Sequence, residues 1–298
     1  TVNTAGFAQS YSGAISLGAP TTLTASSVTL GGAVSGPYNF SVVGDTNLNH
    51  GTVNTAGFAQ SYSGAISLGA STTLTASNVT LGGAVSGPYS FDVMGDTNLN
   101  HGTVNTAGFA QSYSGAISLG APTTLTASSV TLGGAVSGDH DLMITAVTHL
   151  NAPTVNTMAH AQRYNGAVVL GHDAVLTGTN VSFDDTLDGA YSLVVHGSGT
   201  TTLAGAVGGS QALMHVQTES TGSTVIKGGL IRTQGPSSIW FMNDVVVTSD
   251  TSDTTTFDTT GNANAPVAGA NITFDKTING SAVNTESVVL NAGSRRSE

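Results

Sequence analysis

Few side chains in this 298-residue sequence could do chemistry, and the densest set is acidic: Asp184-Asp185 with Asp188, then Asp244, Asp250, Asp253 and Asp258. Two carboxylates about 5–10 Å apart can cleave a glycosidic bond, and a tighter group of oxygens can hold Ca²⁺. No Gly-Gly-x-Gly-x-Asp calcium repeat accompanies these acids, so solvated loop carboxylates are expected, with Ca²⁺ as the alternative and no other cofactor. Asp45 and Asp96 follow Gly44 and Gly95, where Asp is an ordinary turn residue. His50 and His101 share a slot that would place them two coils, roughly 10 Å, apart, too far for a common metal. There is no Cys, and no Gly-x-Ser-x-Gly elbow marks a nucleophile. The expectation is that no residue is catalytic, cofactor-binding or metal-ligating.

The charge distribution excludes further classes. Residues 1–162 contain no Lys or Arg, and the whole chain carries a net charge of −11. Nucleic-acid binding needs cations to displace phosphate counterions, so that class is excluded, as is electrostatic docking on anionic lipid. No apolar run is long enough to span a bilayer as a helix. Hydrophobic residues make up 39% of the chain and recur in register, unlike a disordered chain.

The elements that would position these groups are repeats. A unit beginning Thr1-Val2-Asn3-Thr4-Ala5-Gly6-Phe7 restarts at Thr52, Thr103 and Thr154. Residues 52–102 differ from 1–51 only at Ser71, Asn78, Ser90, Asp92 and Met94, and residues 103–138 are identical to 1–36. The fourth copy diverges but keeps Val155, Asn156, Thr157, Gln162, Tyr164 and Gly166. Each unit also reads as two halves. Leu23, Leu48, Leu74, Leu99, Leu125, Leu150, Leu176 and Leu203 form one regularly spaced series. Val28, Val53, Val79, Val104, Val130, Val155 and Val181 form a second, and both step by half of one unit. Tyr11, Tyr38, Tyr62, Tyr89, Tyr113, Tyr164 and Tyr191 lie on one alternating 27/24 ladder, with His140 on the missing rung.

Locally the pattern is strand-like. Tyr38, Phe40 and Val42 alternate with small or polar residues, and Gly31-Gly32 and Gly36-Pro37 punctuate the runs. Short strands on a ~25–26-residue repeat predict an all-β fold, a right-handed parallel β-helix (β-solenoid) with two coils per 51-residue repeat and about 11–12 coils in total. Tandem small β-sandwiches are the alternative, but they leave the half-repeat unexplained. Residues 1–200 (copies 1–51, 52–102, 103–153 and a divergent one from 154) form the regular array. Residues 201–298 read as irregular coils of the same solenoid, bulkier at Ile231, Trp240 and Phe241, with a polar loop near 249–262. The first unit begins mid-coil, which reads as a fragment of a longer repetitive protein.

Phrases such as Gly64-Ala65-Ile66-Ser67-Leu68-Gly69, Thr177-Gly178-Thr179-Asn180-Val181-Ser182-Phe183, Leu187-Asp188-Gly189-Ala190-Tyr191-Ser192-Leu193 and Leu203-Ala204-Gly205-Ala206-Val207-Gly208-Gly209 resemble the β-helical repeats of bacterial filamentous-haemagglutinin and autotransporter-type surface proteins. The resemblance is one of composition and period. It implies secretion to the bacterial cell surface and a non-enzymatic role as an extracellular rod, stalk or matrix filament. Its partners would be other copies, assembled as filaments or a lateral matrix, or a glycan or protein receptor of the host or environment. Near-identical copies favour length and multivalency over a single active constellation. The alternative is a carbohydrate-active enzyme or glycan-binding module that uses the acidic region 184–262.

Overall fold

The structure, a computed structural model, describes residues 1–219, 222–234, 238–248, 254–261, 269–281 and 286–293. They belong to two units, Thr1–Ala146 and Val147–Glu298. Both are all-β, with no helix among the described residues, and both are parallel β-solenoids, with about 12 turns in all.

The coil that forms is shorter than the half-repeat predicted from the sequence. Val2 pairs with Leu23, Leu23 with Val42, Val42 with Tyr62, and Tyr62 with Leu81, all in parallel register. Each such pairing closes a turn of about 20 residues, a short period for a stacked repeat. Three strand segments fill a turn, because Gln9–Tyr11 and Ile15–Ser16 intervene between Val2–Asn3 and its partner Thr21–Leu30. Thr21–Leu30 itself bends through a corner: Leu23 lies on Val2 while Val28 lies on Gln9, with a register shift between Thr24 and Ser27.

One copy of the repeat supplies eight sides. In residues 52–102 these are 52–54, 60–62, 66–68, both halves of Thr72–Leu81, Val85–Ser86 and both halves of Phe91–Leu99. Eight sides on a three-sided coil make two and two-thirds turns, not two, and the half-repeat of the sequence is four sides. The physical reason lies in what each side requires. Every side needs inward residues two positions apart, at least one of them apolar, and outward ones that face solvent, so likeness between sides says nothing about how many sides close a turn.

The ladders are therefore regrouped. Leu23 stacks between Val2 and Val42, Leu74 between Val53 and Val93, and Leu125 between Val104 and Ile144. These three leucines occupy three different columns, so none stacks on the next leucine of its slot. Val28 likewise lies between Gln9 and Thr46, and Val79 between Gln60 and Thr97. All the Leu and Val of both slots are buried, so they face inward with other partners than expected. The tyrosines divide in two. Tyr62, Tyr113 and Tyr164 are fully buried, whereas Tyr11, Tyr38, Tyr89 and Tyr191 reach the surface.

Corners bring successive turns into backbone contact. A Cβ added to Gly83 would lie 2.3 Å from the carbonyl carbon of Gly64, and one on Gly64 would lie 2.5 Å from that of Gly44. Glycine stacked on glycine lets the coil turn sharply without separating the sheets.

In the second unit the turns lengthen. Val155 pairs with Leu176 and Gln162 with Val181, as in the first unit. Farther on, Ser192 pairs with His215, and Ile239 pairs with Ile272 across the longest turn of the fold. Phe241, Phe257 and Phe274 fill this wider core with ring centroids 5.2–5.9 Å apart. The polar loop expected near 249–262 is in part a strand. Thr254–Asp258 pairs with Leu230–Arg232 and Ser287–Asn291, because Phe257 supplies an inward anchor within the Thr-rich run. Residues 249–253, with Asp250 and Asp253, and Asn262 lie outside the described residues.

Candidate functional site: braced corner loops

The feature that each copy delivers most faithfully is a corner loop with an internal brace. In the second copy, Asn54 Oδ1 accepts the Ala56 amide (2.8 Å) and the Phe58 amide donates to Thr55 O (3.0 Å). Ala56 (φ 50°) and Gly57 (φ 87°) both adopt the left-handed conformation. For Ala this costs about 1 kcal/mol, which the Asx turn and the tertiary contacts offset. The same geometry recurs at Ala5, Ala107 and Met158.

The brace is a buried glutamine. Gln60 Nε2 donates to Val53 O (3.0 Å) and to Thr75 O (2.9 Å), tying the loop to the next turn, and Tyr62 OH donates to Gln60 Oε1 (3.0 Å). Gln111 with Tyr113 and Gln162 with Tyr164 repeat it. Burial pushes all three phenols well above their ordinary pKa, so they remain hydroxyl donors. Buried amides are tolerated only when satisfied, and here Gln60 and Gln111 lie in register with the buried Phe40 and Phe91. The signal was present in the sequence: Gln and Tyr two residues apart in all four copies, even the divergent one. It reads there as strand alternation.

The brace presents an apolar tip. Phe7 is 76% exposed, and Phe58 and Phe109 are each 46% exposed. Phe58 rests on Tyr38 and Phe109 on Tyr89, both at 6.3 Å between ring centroids. The first three loops follow Val2–Asn3, Thr52–Asn54 and Thr103–Asn105, and these strands lie on three different sides of the first unit. Val2 shares the column of Leu23 and Tyr62, Val53 that of Leu74 and Tyr113, and Val104 that of Leu125. Successive tips are thus displaced by one-third of a revolution and by about 13 Å along the stack, two and two-thirds turns at ~4.8 Å each. His50 and His101, one copy apart and both exposed, are separated onto different sides in the same way, which corrects their assignment to one face.

The acids serve the backbone. Asp45 Oδ1 accepts the Ala65 amide (3.0 Å), Asp96 Oδ1 that of Ala116 (2.9 Å) and Asp173 Oδ1 that of Ser192 (2.8 Å), each one turn ahead. Asp188 Oδ1 takes the amides of Ser210 and Gln211, Asp185 Oδ1 takes that of Thr186, and Asp184 pairs with Arg163. Hydrogen bonds from the Thr277 hydroxyl and amide, with Lys276 nearby, hold the Asp244 carboxyl below its usual pKa. Burial pushes Asp258 upward, but bonds from the Thr260 hydroxyl and amide and from Arg232 prevail and leave it lowered. The described members of the predicted acidic set, Asp184, Asp185, Asp188, Asp244 and Asp258, therefore engage separate partners. Among the described residues no group of three or more His, Asp or Glu converges on a metal-sized point, and no helix is long and apolar enough to cross a membrane.

The chain is, by its own geometry, a β-helical repeat protein. Comparison with protein-family models, with curated proteins and with solved structures returns no match.

Proposed function

We propose that the chain is a non-enzymatic structural or adhesive segment of a bacterial surface or secreted protein, acting as a rod, stalk or matrix filament. One observation carries this reading. The repeated copy and the three-sided coil are incommensurate, so near-identical copies present the same apolar corner loop on successive sides rather than in one row. Repetition of that kind suits contact with neighbours in several directions, by other copies or by a receptor. The resemblance to filamentous-haemagglutinin and autotransporter-type repeats supports the extracellular location, and the acids engaged in corner hydrogen bonds favour a structural role over a catalytic one.

The test is electron microscopy of the purified chain across a concentration series, beside the triple variant Phe7→Ser, Phe58→Ser, Phe109→Ser. Filaments or lateral arrays that the variant loses while keeping its melting temperature are expected. Discrete particles at every concentration, together with turnover of a polysaccharide substrate, would overturn the reading.

A further inference from the structure

The outward face of the second unit changes character at one place. In the first unit the outward column Thr22, Ser41, Ser61, Thr80, Asn98, Ser118, Ser137 is small and polar throughout. In the second unit the column Val175, Val194, Gln217, Trp240, Thr273 contains the sole tryptophan of the chain. Ser238, Trp240, Asn271 and Thr273 line a cleft of about 310 Å³, a size at the low end for ligand-binding clefts.

The cleft is rigidly built. Ile239–Phe241 pairs on both sides, with His215–Glu219 and with Ile272–Phe274, and Phe241 behind it is locked in the three-phenylalanine core. Trp240 Nε1 donates to Asp275 Oδ2 (3.0 Å), which fixes the indole. On the far side His215 Nδ1 lies 2.7 Å from Ser238 O and Nε2 3.1 Å from Gln217 Oε1, and Gln217 in turn donates to Glu219. Glu219 is paired with His196. Because both edges of Ile239–Phe241 are hydrogen-bonded within the sheet, no peptide strand can add to it.

Among the described residues the lining is one indole, two hydroxyl-bearing side chains and one amide, with no formal charge, and the carboxylates of Asp275 and Glu219 are engaged. A ligand that fits has an apolar face for the ring and a rim of hydroxyls for Ser238, Asn271 and Thr273. We propose that this cleft binds a neutral saccharide, with one pyranose stacked on Trp240. The site does not rest on the rod reading, because it lies outside the corner loops.

The single tryptophan makes the test direct. The chain is titrated with neutral hexasaccharides of glucose, mannose and xylose, and with hexagalacturonate, while indole emission is followed. At least one neutral sugar is expected to give a saturable change, and hexagalacturonate none, since Glu219 and Asp275 flank the cleft. In calorimetry with that sugar, Asn271→Ala and Thr273→Ala should each weaken binding by about tenfold. Trp240→Ala should abolish it, with circular dichroism confirming the fold. If that variant unfolds, the two milder variants decide. No response to any neutral hexasaccharide at millimolar concentration, tighter binding of hexagalacturonate, or unchanged affinity in Asn271→Ala and Thr273→Ala would overturn the proposal. None of these outcomes bears on filament formation by the corner loops.

Discussion

Residues 1–146 and residues 190–293 solve the same problem, stacking short parallel strands, with a repeated glutamine brace in the first and non-repeated polar clusters in the second. The first region places its specific polar groups inside, as Gln60 and Gln111 braces, and leaves Ser, Thr and Asn on its faces. The second has longer turns, a phenylalanine core with Thr218 and Thr224 donating to a buried Asn243, and an outward surface of His215, Gln217, Glu219, Trp240 and Asp275. An internal brace can be copied without limit, because every copy meets the same neighbours. The Trp240 cleft lies where the turns become irregular enough to differ from those on either side.

The largest test of that comparison concerns the corners of the regular region. Gly83→Ala places a methyl 2.3 Å from the backbone of Gly64, which no side-chain rotation can relieve. A loss of about 3 kcal/mol or more is expected in urea denaturation. Gly57→Ala, with empty space around its Cβ but φ at 87°, should lose only about 1 kcal/mol. Equal losses would mean that corners are held by loop conformation and not by the close stacking of turns.

Gln60→Leu comes next. It keeps the volume but strips Val53 O and Thr75 O of a donor and leaves Tyr62 OH without its acceptor. Buried groups left so should cost about 2–3 kcal/mol together, and Tyr62→Phe about 1 kcal/mol. If the leucine variant were as stable as wild type, the brace would be incidental and the contrast between the regions would fail.

These two sites also show how far the sequence could be read. Strand alternation made the inward residues legible, since Leu23, Val28 and their copies are all buried. The size of the turn was not legible from those slots. Four sides of the prism look like a coil because each side repeats the same demand, and only relations across a turn distinguish three from four. Such relations were present in the spacing of Asp45 to Ala65 and of Gly64 to Gly83, one turn each. Their meaning depends on backbone groups, amide and carbonyl, that carry no residue identity. The Trp240 cleft was hidden for a different reason: its members Ser238, Asn271 and Thr273 are brought together by the long turn from Ile239 to Ile272, which no repeat announces.

In the second region a buried carboxylate ties stability to acid. Asp258, 6% exposed in its side chain, accepts from Arg232 Nε at 3.1 Å and from both Thr260 donors. Its carboxyl is lowered relative to the unfolded chain, so it contributes stability that is fully present above the unfolded carboxylate range, about pH 4, and is lost as pH falls through the lower folded value. Unfolding followed by Trp240 emission should become easier below about pH 4. Asp258→Asn should start less stable at neutral pH and show a flatter acid limb. An unchanged acid limb in that variant would locate the sensitivity elsewhere.

The smallest effect has the opposite sign. Thr97 stands in an inward column between Val79 and Ile117, and its Oγ1 is buried without a partner, as is that of Thr46 one copy earlier. A hydroxyl in that position forfeits its bond to water and gains none, whereas valine has nearly the same shape and nothing to desolvate. Thr97→Val should therefore stabilise the first unit by about 1 kcal/mol, measured as a rise in the denaturation midpoint with an unchanged slope. The double variant with Thr46→Val should add the two gains, because Thr46 stacks on Val28 and Ile66 and shares no neighbour in register with Thr97. A stability loss in either would show that the hydroxyl is satisfied within the coil, and that the regular core uses more internal polar bonding than its glutamine braces alone.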